Sequence, residues 1–202
     1  MISAIVLAAG QSRRMGRNKM LLPYGGSTVI ETVIAEIAAC GSVVDTVVVT
    51  GCEHERLESL LVKYPLRCVF NPDYARAEMI VSIQVGLRAM PDNATAALIA
   101  LGDQPRIQHD MVRRVNDAYA AGLIVIPSFA RRRGHPILLD RSIWPDVLAL
   151  PPEATLRDLI RAHEDRIHYV EVESDSVIRD IDTPNDYRET VQRRDAESAE
   201  SS

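Results

Sequence analysis

Cysteine is scarce in this chain. Cys40, Cys52 and Cys68 are the three present, and they show neither a C-x-x-C pair nor a metal-type spacing. An odd, unpatterned set excludes a disulfide framework and suits a reducing cytoplasm. Long apolar runs are missing too. Met1 leads straight into a short strand-like run interrupted by Gly10, which is no signal peptide, and nothing is long enough to span a bilayer. The expectation is a soluble, cytoplasmic protein with no membrane partner. Basic residues do not dominate: 23 Lys and Arg against 28 Asp and Glu leave a net charge of −5, which argues against a nucleic-acid partner. His54, His109, His163 and His168 form no ligand spacing, and no Ser/His/Asp or Cys/His arrangement can be argued. Neither glycine pattern of the common phosphate loops, G-x-x-x-x-G-K-[ST] or G-x-G-x-x-G, is present.

What is present suits one well-filled domain. The chain has 202 residues, 47% of them hydrophobic, with no internal repeat and no linker. The expected division is one domain over residues 1–194 and a tail of disordered composition over 195–202. Apolar, β-branched runs at residues 2–7, 43–50, 66–70, 94–101, 123–127, 137–139 and 167–172 read as strands. Helical patterns lie at 28–39, 54–63, 77–90, 111–121, 140–150, 155–163 and 183–193. Thr28 with Glu31 forms a capping-box pattern. In the helix at 77–90, Met79, Ile83, Leu87 and Met90 fall inward. Strands alternating with helices predict an α/β fold with a mostly parallel sheet, whose ligands sit beyond the carboxyl ends of the strands.

Four loops could carry chemistry. The first strand runs into Ala8-Ala9-Gly10, small residues that let backbone N–H groups approach an anion. Arg13, Arg14, Arg17 and Lys19 follow, cations suited to a polyphosphate. A surface turn with solvated charges is the plain alternative. Gly102-Asp103-Gln104-Pro105 puts a carboxylate just past an apolar strand, where it can hold Mg²⁺ or cap the next helix. Asp180 and Asp182 flank Ile181 and share a side if that segment is extended. One of them could be a second metal ligand, or both could be a solvated edge. Arg131-Arg132-Arg133-Gly134-His135-Pro136 could meet a phosphorylated acceptor or simply be a solvated loop, and His135 reads better as a binding or structural residue than as a proton carrier. Asn71 and Ser82 could touch a base or ribose, or act as caps.

Taken as a whole, Leu7 to Lys19 resembles the signature L-A-A-G-x-S-x-R-M-G-x-x-K of the MobA-like nucleotidyltransferases. Gly102-Asp103-Gln104-Pro105, Gly134-His135-Pro136 and Asp180-Ile181-Asp182-Thr183-Pro184 resemble that family's later motifs, in order. Within it, Ala-Ala-Gly and Gly-His-Pro are most similar to the molybdenum cofactor cytidylyltransferases. The departure is Glu78-Met79 before Ser82, where relatives often carry Gly-Met. The resemblance implies a single-domain Rossmann-like three-layer sandwich with a mostly parallel mixed sheet, of the nucleotide-diphospho-sugar transferase type. It implies Mg²⁺-dependent transfer of CMP from CTP to the phosphate of molybdopterin, with pyrophosphate released and a molybdoenzyme or chaperone receiving the product. It assigns Arg14, Lys19 and Asp103 to catalysis and Asp103 and Asp182 to the metal. Leu7, Ala8, Ala9, Gly10, Ser12, Asn71, Ser82 and Gly102 fall to the nucleotide, and His135 to the acceptor. The competing readings are a sibling enzyme using GTP or another NTP and another phosphorylated acceptor, and a non-catalytic nucleotide-binding module. An oxidoreductase would need a redox cofactor motif, and none is found.

Overall fold

The β-branched run at the start of the chain becomes the middle of the sheet. In the computed structural model, which describes residues 1–76 and 78–200, strand β1 is Ile2–Ala8. A two-stranded hairpin, β2 (Pro23–Tyr24) and β3 (Ser27–Thr28), leads into helix α1 (Val29–Ala39). Then come β4 (Val43–Thr50), α2 (His54–Leu61), β5 (Arg67–Phe70), α3 (Met79–Arg88), β6 (Ala96–Leu101) and α4 (His109–Asp117). The second half holds β7 (Ile124–Phe129), β8 (Arg132–Arg133), β9 (Ile137–Asp140), α5 (Trp144–Ala149), α6 (Leu156–Ala162), β10 (Ile167–Glu171) and α7 (Pro184–Glu200). The main sheet runs β10-β7-β9-β6-β1-β4-β5, with β8 paired to β7. β1 pairs in parallel with both β4 and β6, and β9 is antiparallel to both of its neighbours. This is the mixed, mostly parallel sheet that the residue pattern predicts.

Alternation along β1 divides the core into two layers. Ala4, Val6 and Ala8 pack with α1, α2 and α4 on one face, and Ile5, Leu7 and Ala9 with α3, α5 and α6 on the other. Burial on both faces is why β1 reads as an apolar run broken only by Ser3. A third, smaller cluster of Met15, Leu22, Tyr24, Val29 and Ile181 takes in Tyr187 and Val191 of α7. The last helix thus packs against the hairpin. It continues to Glu200, whereas composition predicts a disordered tail from Asp195; Ser201 and Ser202 lie outside the described residues. The expected inward face of α3 is also shifted. Ile80, Ile83 and Leu87 are buried, but Met79 is 43% exposed because it stands at the helix start, over a cavity. Ala77, the expected first residue of that helix, lies outside the described residues. No helix among the described residues is long and apolar enough to cross a membrane.

The capping box at Thr28 forms as the spacing predicts. Its Glu31 is buried and also accepts from Ser27, Tyr64 and Lys63. Burial alone would raise this carboxyl, but the Lys63, Thr28, Ser27 and Tyr64 bonds outweigh it and lower the pKa from 4.5 to about 2. The carboxylate therefore stabilises the fold fully above pH 4.5, and that contribution is lost as pH falls toward 2. Glu31→Gln should cost on the order of 1–2 kcal/mol at neutral pH, discounted for the exposure of Lys63. Urea unfolding across pH should show the variant and the parent converging in acid, and a gap independent of pH would refute this account.

Candidate active site

The chain passes from β1 to β4 on one side of β1 and reaches β6 later on the other side. That reversal opens a crevice at the carboxyl ends of β1 and β6, the position where ligands enter such sheets. Gly102 closes its floor. Its N–H donates to Leu7 O at 3.0 Å, and an added Cβ would meet that oxygen at 3.0 Å and Met20 Sδ at 3.1 Å. The glycine lets the ends of the two strands touch.

The loop after β1 is held by its own backbone. Ser12, at φ 50°, accepts from Met15 N at 2.9 Å, and its hydroxyl accepts from Lys19 N at 3.1 Å. Asn18 caps the short turn at Lys19–Leu21 through a bond from Met20 N. These contacts aim Lys19 inward, where its ammonium lies 2.5 Å from Asp103 Oδ2 and 2.9 Å from Asp182 Oδ1. Arg14 Nη2 meets the other oxygen, Asp182 Oδ2, at 2.5 Å. Ile181 is fully buried in the third cluster, so Asp180 and Asp182 on either side turn away from it, toward Asp103. The Ile181 N–H donates to Asp103 O at 3.0 Å, which fixes the two loops in register.

Carboxylate oxygens of Asp103, Asp180 and Asp182 lie within 4.8 Å of one another. They are the hard donors that Mg²⁺ and similar cations take, so the residues present fit a divalent ion. The electrostatics of the cluster agree. Burial would lower the Lys19 ammonium, but Asp103 and Asp182 override it and hold it above the usual lysine value. Burial pushes the Asp103 carboxyl up, against the pull of Lys19. Burial would raise Asp182 as well, but Lys19 and Arg14 hold it below the usual carboxylate range.

A cavity of about 450 Å³ opens beside this cluster, walled by Gly10, Ser12, Arg13, Arg14, Lys19 and Asp182 on one side. The space that a Cβ would fill at Gly10 holds no protein atom within 4 Å. Tyr74, Arg76 and Glu78 make the opposite wall. Sequence reasoning did not single out Tyr74 and Arg76; their one signal is that the turn at Asn71 follows the carboxyl end of a strand. Leu7, Ala8, Ala9 and Gly102 are not among the residues lining the cavity, and Leu7 O and Ala9 O accept from Gly102 N and Cys52 N. Asn71 and Ser82 do come together, but Asn71 Nδ2 donates to Ser82 Oγ at 2.9 Å and Asn71 Oδ1 accepts from Asp73 N at 3.0 Å. They brace the turn that carries Tyr74 and Arg76, and they are not among the cavity walls.

His135 stands apart, in a second cavity of about 940 Å³ that, among the described residues, shares Glu78 alone with the first. Its N–H donates to Val177 O at 2.8 Å, while the buried Nε2 has no partner among the described residues. Burial lowers its pKa to about 4, so the ring is neutral. Arg131, Arg132 and Arg157 surround an apolar floor of Met79, Ile137 and Ile160. Arg133 also lines this cavity, where it donates to Tyr169 OH and lies over the Tyr169 ring.

Comparison with known proteins agrees with this geometry. Residues 4–167 match the model of the MobA-like NTP transferase domain. The molybdenum cofactor cytidylyltransferase of Escherichia coli is 30% identical over 92% of this chain and 93% of its own. The nicotine blue oxidoreductase of Paenarthrobacter nicotinovorans is 28% identical over 90% and 92%. The solved structure of Rv0371c in complex with manganese, from Mycobacterium tuberculosis, superimposes with a TM-score of 0.79 at 26% identity, over 95% of this chain and 97% of that one. With two cations and three carboxylates gathered where a reversed sheet opens, and with most of its length matched, the chain belongs to the MobA-like NTP transferase family of nucleotidyltransferases.

Proposed function

We propose that this enzyme moves CMP from CTP to the phosphate of molybdopterin and releases pyrophosphate. The observation that carries the reading is the convergence of Arg14 and Lys19 on Asp103 and Asp182, with Arg14, Lys19 and Asp182 lining the smaller cavity. A binding module would need the cations but not the carboxylates opposite them. In the reaction, an oxygen of the acceptor phosphate attacks the α-phosphorus, the bond from that phosphorus to the bridging oxygen breaks, and pyrophosphate departs. Such chemistry depends on positioning and on neutralising charge. Gly10 and Ser12 bring backbone close to the nucleotide, and Arg14 and Lys19 meet the triphosphate and the charge that grows on the leaving group. Asp103 and Asp182 would hold Mg²⁺, which would polarise the phosphate oxygens. That the similar Rv0371c structure is a complex with manganese supports a divalent ion here.

The larger cavity suits the body of the acceptor. Its arginines offer charge to an anion, its apolar floor takes a ring, and the neutral His135 is among its lining residues. Glu78 stands where the two cavities meet. The cytidylyl choice rests on likeness to the E. coli enzyme and on Ala-Ala-Gly in the first loop. The reading carries with it a cytoplasmic setting and a molybdoenzyme or chaperone that takes the product. Pyrophosphate release measured with CTP, GTP, ATP and UTP, each with molybdopterin and Mg²⁺, tests it. CTP should be the preferred donor. A preference for GTP would move the chain to the sibling reading, and silence with all four would overturn transfer to this acceptor.

A further inference from the structure

The cation already inside the carboxylate cluster carries one more step. Lys19 is not merely near Asp103 and Asp182; its ammonium bridges them at 2.5 and 2.9 Å with only 10% of the side chain exposed. Arg14 occupies the remaining oxygen of Asp182. A divalent ion binds carboxylate oxygens at about 2.1 Å, yet three of the four carboxylate oxygens of Asp103 and Asp182 already face a cation, so an ion that uses both residues displaces at least one of them. Two positive charges so close in a partly buried site repel strongly.

We infer that Lys19 and the divalent ion compete for Asp103 and Asp182, and that the nucleoside triphosphate converts this competition into mutual support. The inference rests on the proposed metal and nucleotide roles of this site. Without nucleotide, an incoming ion must evict Lys19 and leave it with no anion. With a triphosphate in the cavity that Arg14 and Lys19 line, both side chains exchange carboxylate for phosphate. The carboxylates are then free for the ion. Linkage makes the effect reciprocal: nucleotide tightens metal binding by the same factor by which metal tightens nucleotide binding. The site thus resists loading with metal alone and assembles around the metal–nucleotide pair.

Mn²⁺ binding by the full chain, followed by paramagnetic resonance and calorimetry with and without α,β-methylene CTP, tests this. In the parent protein the unreactive nucleotide should tighten Mn²⁺ binding by about tenfold or more. Lys19→Met should bind free Mn²⁺ about tenfold more tightly than the parent and lose most of the nucleotide enhancement. Free-metal affinity unchanged or weakened in Lys19→Met overturns the competition, as does a parent protein without enhancement. Should Lys19→Met not fold, Arg14→Gln reads the same competition from an arginine that is 68% exposed. Its free Mn²⁺ affinity should rise by about threefold, and no rise overturns the inference. Asp103→Asn separates the two levels. Mn²⁺ binding that ignores Asp103 defeats the metal assignment itself, whereas binding that needs Asp103 but ignores Lys19 and Arg14 defeats only the competition.

Discussion

Asp103→Asn should remove turnover, by about a thousandfold or more, from a protein that still folds. The residue is 9% exposed at the end of β6, and its backbone oxygen accepts from Ile181 N in the bond that holds the two acidic loops together. Asparagine keeps that bond and nearly the same shape, and it removes one negative charge. Lys19 retains Asp182 at 2.9 Å, so its ammonium is not stranded. Buried ion pairs return little net stability because desolvation offsets their attraction, so the melting temperature should move by only a few degrees. The loss falls on chemistry, since an amide oxygen is a poor substitute for a carboxylate facing a hard divalent ion. Single-turnover pyrophosphate release beside a thermal melt reads both quantities. Unimpaired release would refute the assignment of Asp103, and a large drop in melting temperature would show that Asp103 holds the fold rather than the reaction.

Gly134→Ala should be strongly destabilising, on the order of 3 kcal/mol, with the melting temperature down by about 10 °C. The added Cβ would stand 2.5 Å from Val177 O and 2.7 Å from Val177 Cβ. The oxygen cannot easily retreat, because it accepts from His135 N at 2.8 Å and a shift would break that bond. Gly134 N is itself tied to Pro127 O at 2.8 Å, so the glycine cannot retreat either. The strained join lies between the second cavity and the segment that leads to Asp182. Weaker acceptor affinity should therefore accompany the lost stability, with nucleotide affinity changed less. Urea unfolding and acceptor titration measure the two effects. A stability change below about 0.5 kcal/mol would mean that the loop at Val177 yields freely.

The order of strands and helices was legible because burial leaves a local trace. β6 is apolar on every residue and β1 on all but Ser3, since both faces are covered, and Thr28 with Glu31 marks a helix start in four positions of chain. Met79 shows the limit of periodicity: its spacing is inward, but it sits at the first turn of α3, beyond the edge of the core. The tail shows the limit of composition. Polar residues over 195–200 continue a helix that Tyr187 and Val191 anchor to the hairpin some 160 positions earlier, a contact no local window contains.

The candidate site divides in the same way. The types of residue were readable from the sequence alone: small residues and cations after the first strand, an aspartate after the β6 strand, a pair of aspartates before the last helix. Each needs only its neighbours to be recognised. Who faces whom was decided by the tertiary structure. Asn71 and Ser82, apt on paper for a base, meet each other in one hydrogen bond, because the end of β5 meets the start of α3. Lys19 reaches Asp182 across 163 positions of chain, and a salt bridge of that reach depends on sheet order and on Ile181 burying itself in the third cluster. Local sequence determined the strands, the caps and the chemical inventory, since short-range sterics and hydrophobic periodicity act over a few residues. Only the packed sheet decided that a lysine already holds the carboxylates a metal would use, since that arrangement exists nowhere except where distant loops converge.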